Sequence, residues 1–111
     1  MSDERAKRVG RNQAMYRQVN ERLEDLNEAL GEISREFRVV CECSDVLCME
    51  QFTVSREVYE RTRANPTQFI ISRGHQAVGV EKVVHGHPNY LVVEKHAGAS
   101  RRFAKETDPR D

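Results

Sequence analysis

A chain of 111 residues with 38% hydrophobic and 32% charged residues and no Trp is one lean domain, too short for a two-domain enzyme. Its apolar share lies below the roughly 45–50% of an average globular chain, so a metal, a partner subunit or a long packed helix is expected to supply part of its stability. Eighteen Lys plus Arg against eighteen Asp plus Glu leave zero net charge, which argues against a general polyanion binder held by phosphate neutralisation.

The chain opens Met1-Ser2-Asp3-Glu4, charge rather than the apolar core of a signal peptide, and no stretch approaches the ~20 apolar residues of a membrane span. The expected compartment is cytoplasmic. Ser2 or Asp3 can cap a first helix. From Tyr16 the apolar residues recur as Tyr16, Val19, Leu23, Leu26, Leu30, Ile33 and Phe37, alternating spacings of 3 and 4 that sustain a heptad seam. Extended backwards, the register meets Asn12 and Val9, so the seam weakens toward Gly10 and the N-terminus. Residues 1–36 therefore read as a long amphipathic helix. Its apolar stripe has two possible uses: pairing with a partner or a second copy, or covering the domain's own sheet. Residues 1–17 carry five Lys or Arg and two acids, whereas residues 18–36 carry two Arg and six acids, +3 against −4. That order opposes the helix macrodipole and would suit an antiparallel helix pair.

Beyond residue 37 the pattern turns to short strands. Phe37–Cys41, Gln51–Val54, Gln68–Ser72 and Tyr90–Glu94 are rich in β-branched and aromatic residues. Between the second and third, Ser55 is an N-cap, Val54 and Tyr59 form a hydrophobic staple, and Asn65-Pro66 stops a helix over about 56–64. Val80, Val83 and Val84 have helical i, i+3, i+4 spacing, with a strand as the alternative for β-branched residues. Residues 97–111 are polar and are expected to form a mobile tail. The reading is α+β: the long helix, then a small zinc-binding domain over 37–96 with a mainly antiparallel sheet of three to four strands and one or two short helices.

The chemistry sits in Cys41-Glu42-Cys43-Ser44-Asp45-Val46-Leu47-Cys48, a C-x-C-x4-C array where a strand runs into a tight loop. Three cysteines, an odd number, in a reducing compartment point to metal binding or thiol chemistry rather than a disulfide framework. Three thiolates at this spacing can reach one zinc ion, and zinc takes a fourth ligand. His75 follows Gly74, whose backbone freedom lets the chain turn and present an imidazole. Cys41, Cys43, Cys48 and His75 would make a closed Cys3His site. His85, His87, His96 and Asp45 are other sources of the fourth ligand. Buried reduced thiols, or a redox switch using Cys43 with Cys48, are the competing readings; Glu42, Asp45 and Glu50 surround the array with acid, which suits a cation better than an activated thiolate.

The chain resembles a family of small, uncharacterised actinobacterial proteins. The likeness lies in Arg11-Asn12-Gln13, Val19-Asn20-Glu21, Leu26-Asn27, Cys41-Glu42-Cys43, Cys48, Tyr59-Glu60, Asn65-Pro66, Gly74-His75 and Tyr90-Leu91-Val92-Val93-Glu94-Lys95. It covers about residues 11–95. It implies a helix over Val80–Val84 and favours His75 as a ligand, and it brings no activity with it.

No nucleophile with a base, carboxylate pair or phosphate loop emerges from the motifs, so no enzyme is expected. The leading expectation is a zinc-stabilised protein-interaction module, working through a protein partner or a homodimer of the first helix. Two alternatives remain. One is a nucleic-acid-associated regulator using Arg5, Lys7, Arg8, Arg11 and Arg17, with Arg101, Arg102 and Lys105. The other is a thiol or zinc redox sensor.

Overall fold

The computed structural model describes residues 3–29, 35–43, 45, 47–77, 79–96 and 98–110, with side chains described except at 3–7, 9, 99 and 100. The order of elements is α1 (Asp3–Ala29), β1 (Glu36–Val40), β2 (Gln51–Ser55), α2 (Arg56–Arg63), β3 (Gln68–Ile71), β4 (Glu81–Gly86), β5 (Leu91–Lys95) and α3 (Ala99–Glu106). The α+β class stands, with five strands among the described residues arranged as two antiparallel sheets.

The strand alternation expected from sequence sets the first hairpin. Phe37 and Val39 of β1 pair with Val54 and Phe52 of β2, and all four are buried, while Arg38 and Thr53 between them face solvent. Ser55 caps α2: its hydroxyl oxygen accepts from the Val58 N–H at 3.1 Å. Tyr59, the staple residue, is fully buried with its ring edge-on to Phe37, centroids 5.1 Å apart.

The second sheet has the order β3-β5-β4. Phe69, Ile70 and Ile71 of β3 pair with Val93, Val92 and Leu91 of β5, and all six are buried. This near-continuous apolar pairing is the centre of the core. The valine segment expected as a helix is instead β4, paired with β5 along Glu81↔Lys95 and Val83↔Val93, with a register shift between Val83 and His85. The shift accounts for the misleading period. Val80 lies in the turn before β4, its N–H donating to the Ala77 carbonyl, and Val84 is the extra residue that breaks the period-2 alternation, so the three valines fall on a helical spacing without a helix.

The first helix is described over Asp3–Ala29, and Phe37 belongs to β1 rather than to the helical seam. Leu30 and Ile33, the next seam positions, lie outside the described residues. The face that α1 turns toward the domain is polar. Gln13, Arg17, Asn20 and Glu24 are buried, at spacings of 4, 3 and 4, and each meets a polar group. Asn20 acts on β1 as another strand would: its amide donates to the Val40 carbonyl at 2.8 Å, and its carbonyl accepts from the Val40 N–H at 2.8 Å. Arg17 donates to the carbonyls of Pro66 (2.7 Å) and Ala104 (2.9 Å), and its guanidinium lies 4.7 Å from the centre of the Phe69 ring. Burial pulls its pKa down from the usual value. The seam residues Val19 and Leu26, with Met15 beside them, stand exposed on the other side, while Tyr16 and Leu23 are half-buried. At Val19 and Leu26 the stripe therefore does not cover the domain's own sheet, one of the two uses considered from sequence.

The segment from Gly98, expected as a mobile tail, forms α3 against α1. A methyl group at Gly10 would lie 3.1 Å from Phe103, so this glycine permits the close approach of the two helices. Ala104 is buried. Past α3, Arg110 ties the end of the chain down through ion pairs to Glu21 (2.6 Å), Glu24 (3.1 Å) and Glu60 (2.6 Å). Burial and the neighbouring Glu60 push the Glu24 carboxyl up to about 7.

Candidate metal centre

The C-x-C-x4-C array is the loop of the β1–β2 hairpin. Cys41 continues the ladder past Val40, its N–H donating to the Glu50 carbonyl at 3.0 Å. The loop then folds on Asp45, whose side chain accepts from the Leu47 N–H (2.9 Å) and whose carbonyl accepts from the Cys48 N–H (3.0 Å). This side-chain-to-backbone turn returns Cys48 toward Cys41 and Cys43. The Tyr16 hydroxyl of α1 sits 3.2 Å from the carbonyl oxygens of both Asp45 and Cys48 and holds the loop against the helix.

Glu42 brings the hairpin to β3. Its N–H donates to the Ile70 carbonyl at 2.9 Å, and its carboxylate accepts from the Ile70 N–H (2.9 Å) and the Asn20 amide (2.8 Å). The alternation of an extended chain, which puts neighbouring side chains on opposite sides, sends Glu42 to this task and its two flanking cysteines to the other side. Glu42 was expected as part of an acidic surround for a cation; its carboxylate is instead engaged by Asn20 and Ile70, fully buried, and burial raises its pKa.

The turn after β3 completes the cluster. His75 N–H donates to the Ser72 carbonyl at 3.1 Å, and Gly74 takes a φ of +86°, a region that favours glycine. This turn presents His75 to the hairpin loop, and the Ser72 N–H donates to Cys41 Sγ at 3.1 Å. One donor atom each from Cys41, Cys43, Cys48 and His75 falls within 4.8 Å of every other, a group that could hold a metal ion. His75 Nδ1 is 3.7 Å from Cys41 Sγ and 3.6 Å from Cys48 Sγ. Its other ring nitrogen, Nε2, lies 2.6 Å from a Glu50 carboxylate oxygen.

The thiols are not equivalent. A hydrogen bond from the Cys43 thiol, another from the Ser72 N–H and the nearby His75 together hold Cys41 down at about 5, in spite of burial. Cys43, which keeps the proton it shares with Cys41, is pushed up, and burial raises Cys48. Cys41 is thus the thiol readiest to act as an anionic ligand.

Each of the other sources of a fourth ligand is elsewhere. The His87 ring stacks on Tyr90 and accepts from the Asn89 N–H at 3.1 Å; His85 is exposed on β4 and His96 is exposed past β5. Asp45 spends its carboxylate on the turn. The basic arm expected from sequence also breaks up. Arg17 is buried under α1, Arg8, Arg11, Arg102 and Lys105 are exposed, and Arg101 donates to the Lys95 carbonyl at 3.0 Å. Arg5 and Lys7 are among the residues whose side chains are not described. Sequence reasoning missed Glu50 as a partner of His75 and Ser72 as a donor to Cys41, since both contacts join segments distant in the chain. Among the described residues no helix is long and apolar enough to cross a membrane. No protein-family model, curated protein or solved structure matches the chain.

Proposed function

We propose that the protein is a small zinc-stabilised interaction module, in which Cys41, Cys43, Cys48 and His75 hold one structural zinc ion and the closed fold offers the outward face of α1 to a protein partner. The observation that carries this reading is the convergence of four donor atoms from two separate loops within 4.8 Å. Zinc–sulfur bonds of ~2.3 Å and zinc–nitrogen bonds of ~2.0–2.1 Å at a tetrahedral angle place sulfur and nitrogen about 3.5 Å apart. The separations of 3.6 and 3.7 Å from His75 Nδ1 fit that figure. Thiolates with imidazole favour a soft or borderline ion, and four protein donors fill the coordination shell without an open position for substrate. We therefore read the site as structural and the protein as non-enzymatic. Thiolate ligands kept reduced suit a cytoplasmic protein. Membership of the small actinobacterial family remains part of the same proposal, on the Cys41-Glu42-Cys43, Cys48 and Gly74-His75 motifs.

Elemental analysis combined with thiol titration tests the centre. One zinc per chain is expected, with three thiols that react only after a chelator is added; a folded, metal-free protein with three reactive thiols would overturn the reading.

Glu50 has a defined part in it. With Nδ1 on the metal, Nε2 carries the proton and donates to the Glu50 carboxylate, the arrangement that orients a histidine ligand and raises its basicity. Glu50→Gln is expected to weaken zinc binding by about 10–100-fold, read by competition with a chromophoric chelator. An unchanged affinity would show that the carboxylate contributes nothing to His75 as a ligand.

A further inference from the structure

We propose that the Cys3His centre is also a peroxide-operated switch, in which a hydroperoxide oxidises Cys48, Cys43 closes a disulfide onto it, and the metal is released. This proposal rests on the zinc reading above and adds a regulation to it. It starts from the unequal exposure of the three sulfurs. Cys41 and Cys43 are each 1% exposed, whereas Cys48 is half-buried and stands between Leu47 and Met49, which are 82% and 81% exposed. A centre with every sulfur enclosed keeps an oxidant out. Thiolate character together with access is what makes a cysteine oxidisable, and a metal ligand is a thiolate. Of the three cysteines, Cys48 is the one that meets both conditions.

The hairpin supplies the second sulfur. β1 and β2 pair Glu36 with Ser55 and Val40 with Gln51, and the Cys41 N–H on the Glu50 carbonyl carries that register one residue further. Two more steps along it set Cys43 opposite Cys48. Opposed residues of an antiparallel pair have Cα atoms ~4.5–5.5 Å apart, inside the ~4.4–6.8 Å span of a disulfide, and the two Sγ atoms start within 4.8 Å of each other. Cys41 is the less suitable partner, since the register sets it against Glu50 and its Sγ accepts from the Ser72 N–H at 3.1 Å. In the first step the Cys48 thiolate attacks one peroxide oxygen. An S–O bond forms, the O–O bond breaks, and the other oxygen leaves with a proton as water or an alcohol. The Cys43 thiolate then attacks Cys48 Sγ, forming the S–S bond and breaking the S–O bond, and the hydroxide leaves with a proton as water. Each sulfur gives up one electron and the peroxide takes both. Cys41 and His75 are left as two donors on separate segments, where a structural zinc site uses four.

Hydrogen peroxide added to the zinc-loaded full chain tests the switch, with released zinc read by a chromophoric chelator and thiols by titration after denaturation. Loss of the zinc is expected, with a fall from three thiols to one, both restored by a dithiol reductant and added zinc. Cleavage after Glu42 and before Asp45 separates the three cysteines, and mass spectrometry without reduction should find Cys43 joined to Cys48 and Cys41 free. Cys48→His keeps a fourth zinc ligand but removes the thiol that peroxide reaches, so it should hold its zinc in peroxide that empties the wild type. If that variant does not load zinc, the wild-type disulfide map decides. A wild-type chain that keeps its zinc and all three thiols in excess peroxide would overturn the switch alone. Emptying of Cys48→His as fast as the wild type would overturn the part given to Cys48, and a disulfide through Cys41 would overturn the part given to Cys43. Metal content is read before peroxide is added, which separates the two proposals: a chain that holds no zinc at that point refutes the centre itself.

Discussion

Cys41→Ser should lower the midpoint of thermal unfolding by more than about 15 °C, and stripping the metal from the wild-type protein should do nearly the same. A ligand held at 1,000 times its dissociation constant stabilises the folded state by ~4.1 kcal/mol, and a domain of this size loses about 4 °C per kcal/mol. Cys41 is the sensitive position among the four. It is buried, it receives the Ser72 N–H at 3.1 Å, and it is the thiol held lowest, at about 5. Serine retains a hydrogen-bond acceptor for Ser72 but supplies no thiolate. The donor is the Ser72 backbone N–H, which the serine oxygen still accepts, so the loss reports the missing thiolate ligand. Differential scanning calorimetry with and without chelator checks this, and equal midpoints in the two scans would leave the Cys3His centre without a structural role.

The parts of the fold that follow from local pattern were legible. Phe37–Cys41, Gln51–Val54, Gln68–Ser72 and Tyr90–Glu94 carry the strands because their side chains suit a half-buried pleated surface. Ser55 and Asn65-Pro66 bound α2 because capping and the restriction before proline act over a few residues. The Cys3His group was legible for a related reason: soft ligands are rare, and Gly74 beside His75 marks a turn.

What the sequence concealed depends on groups far apart in the chain. The register shift beside Val83 gives β4 the spacing of a helix. Residues 99–106 are too polar to announce a packed helix, and α3 is held by Arg17 and by Phe103 over Gly10, contacts made across the whole length of the chain. The buried face of α1 was hidden for the most instructive reason. Periodicity counts apolar residues, whereas the domain binds this helix through amides and charges that find exact counterparts only in the folded chain, as Asn20 does in Val40.

The same polar layer makes the last prediction. Glu81→Leu should destabilise the protein by about 3–5 kcal/mol, because it leaves the Lys95 ammonium buried without a counter-ion. Lys95 Nζ lies 2.7 Å from Glu81, and both side chains are fully enclosed. Burial already draws the Lys95 pKa down, and Glu81 opposes that shift. The Glu81 carboxylate also accepts from the Ala77 N–H at 2.8 Å and from the Gln13 amide, so it joins α1 to the paired edge of β4 and β5. Replacing both charges, Glu81→Leu/Lys95→Met, should recover most of the loss, since apolar groups of similar volume often match a buried ion pair in stability. The pair's value would then lie in orientation. With Gln13 unbonded, α1 is no longer held with its polar side inward, and Val19 and Leu23 can compete for the sheet. In a double-mutant cycle by chemical denaturation the expected coupling is about 2–3 kcal/mol. A single-variant loss below ~1 kcal/mol would mean that the ion pair is reached by solvent, and that something other than this layer fixes the helix.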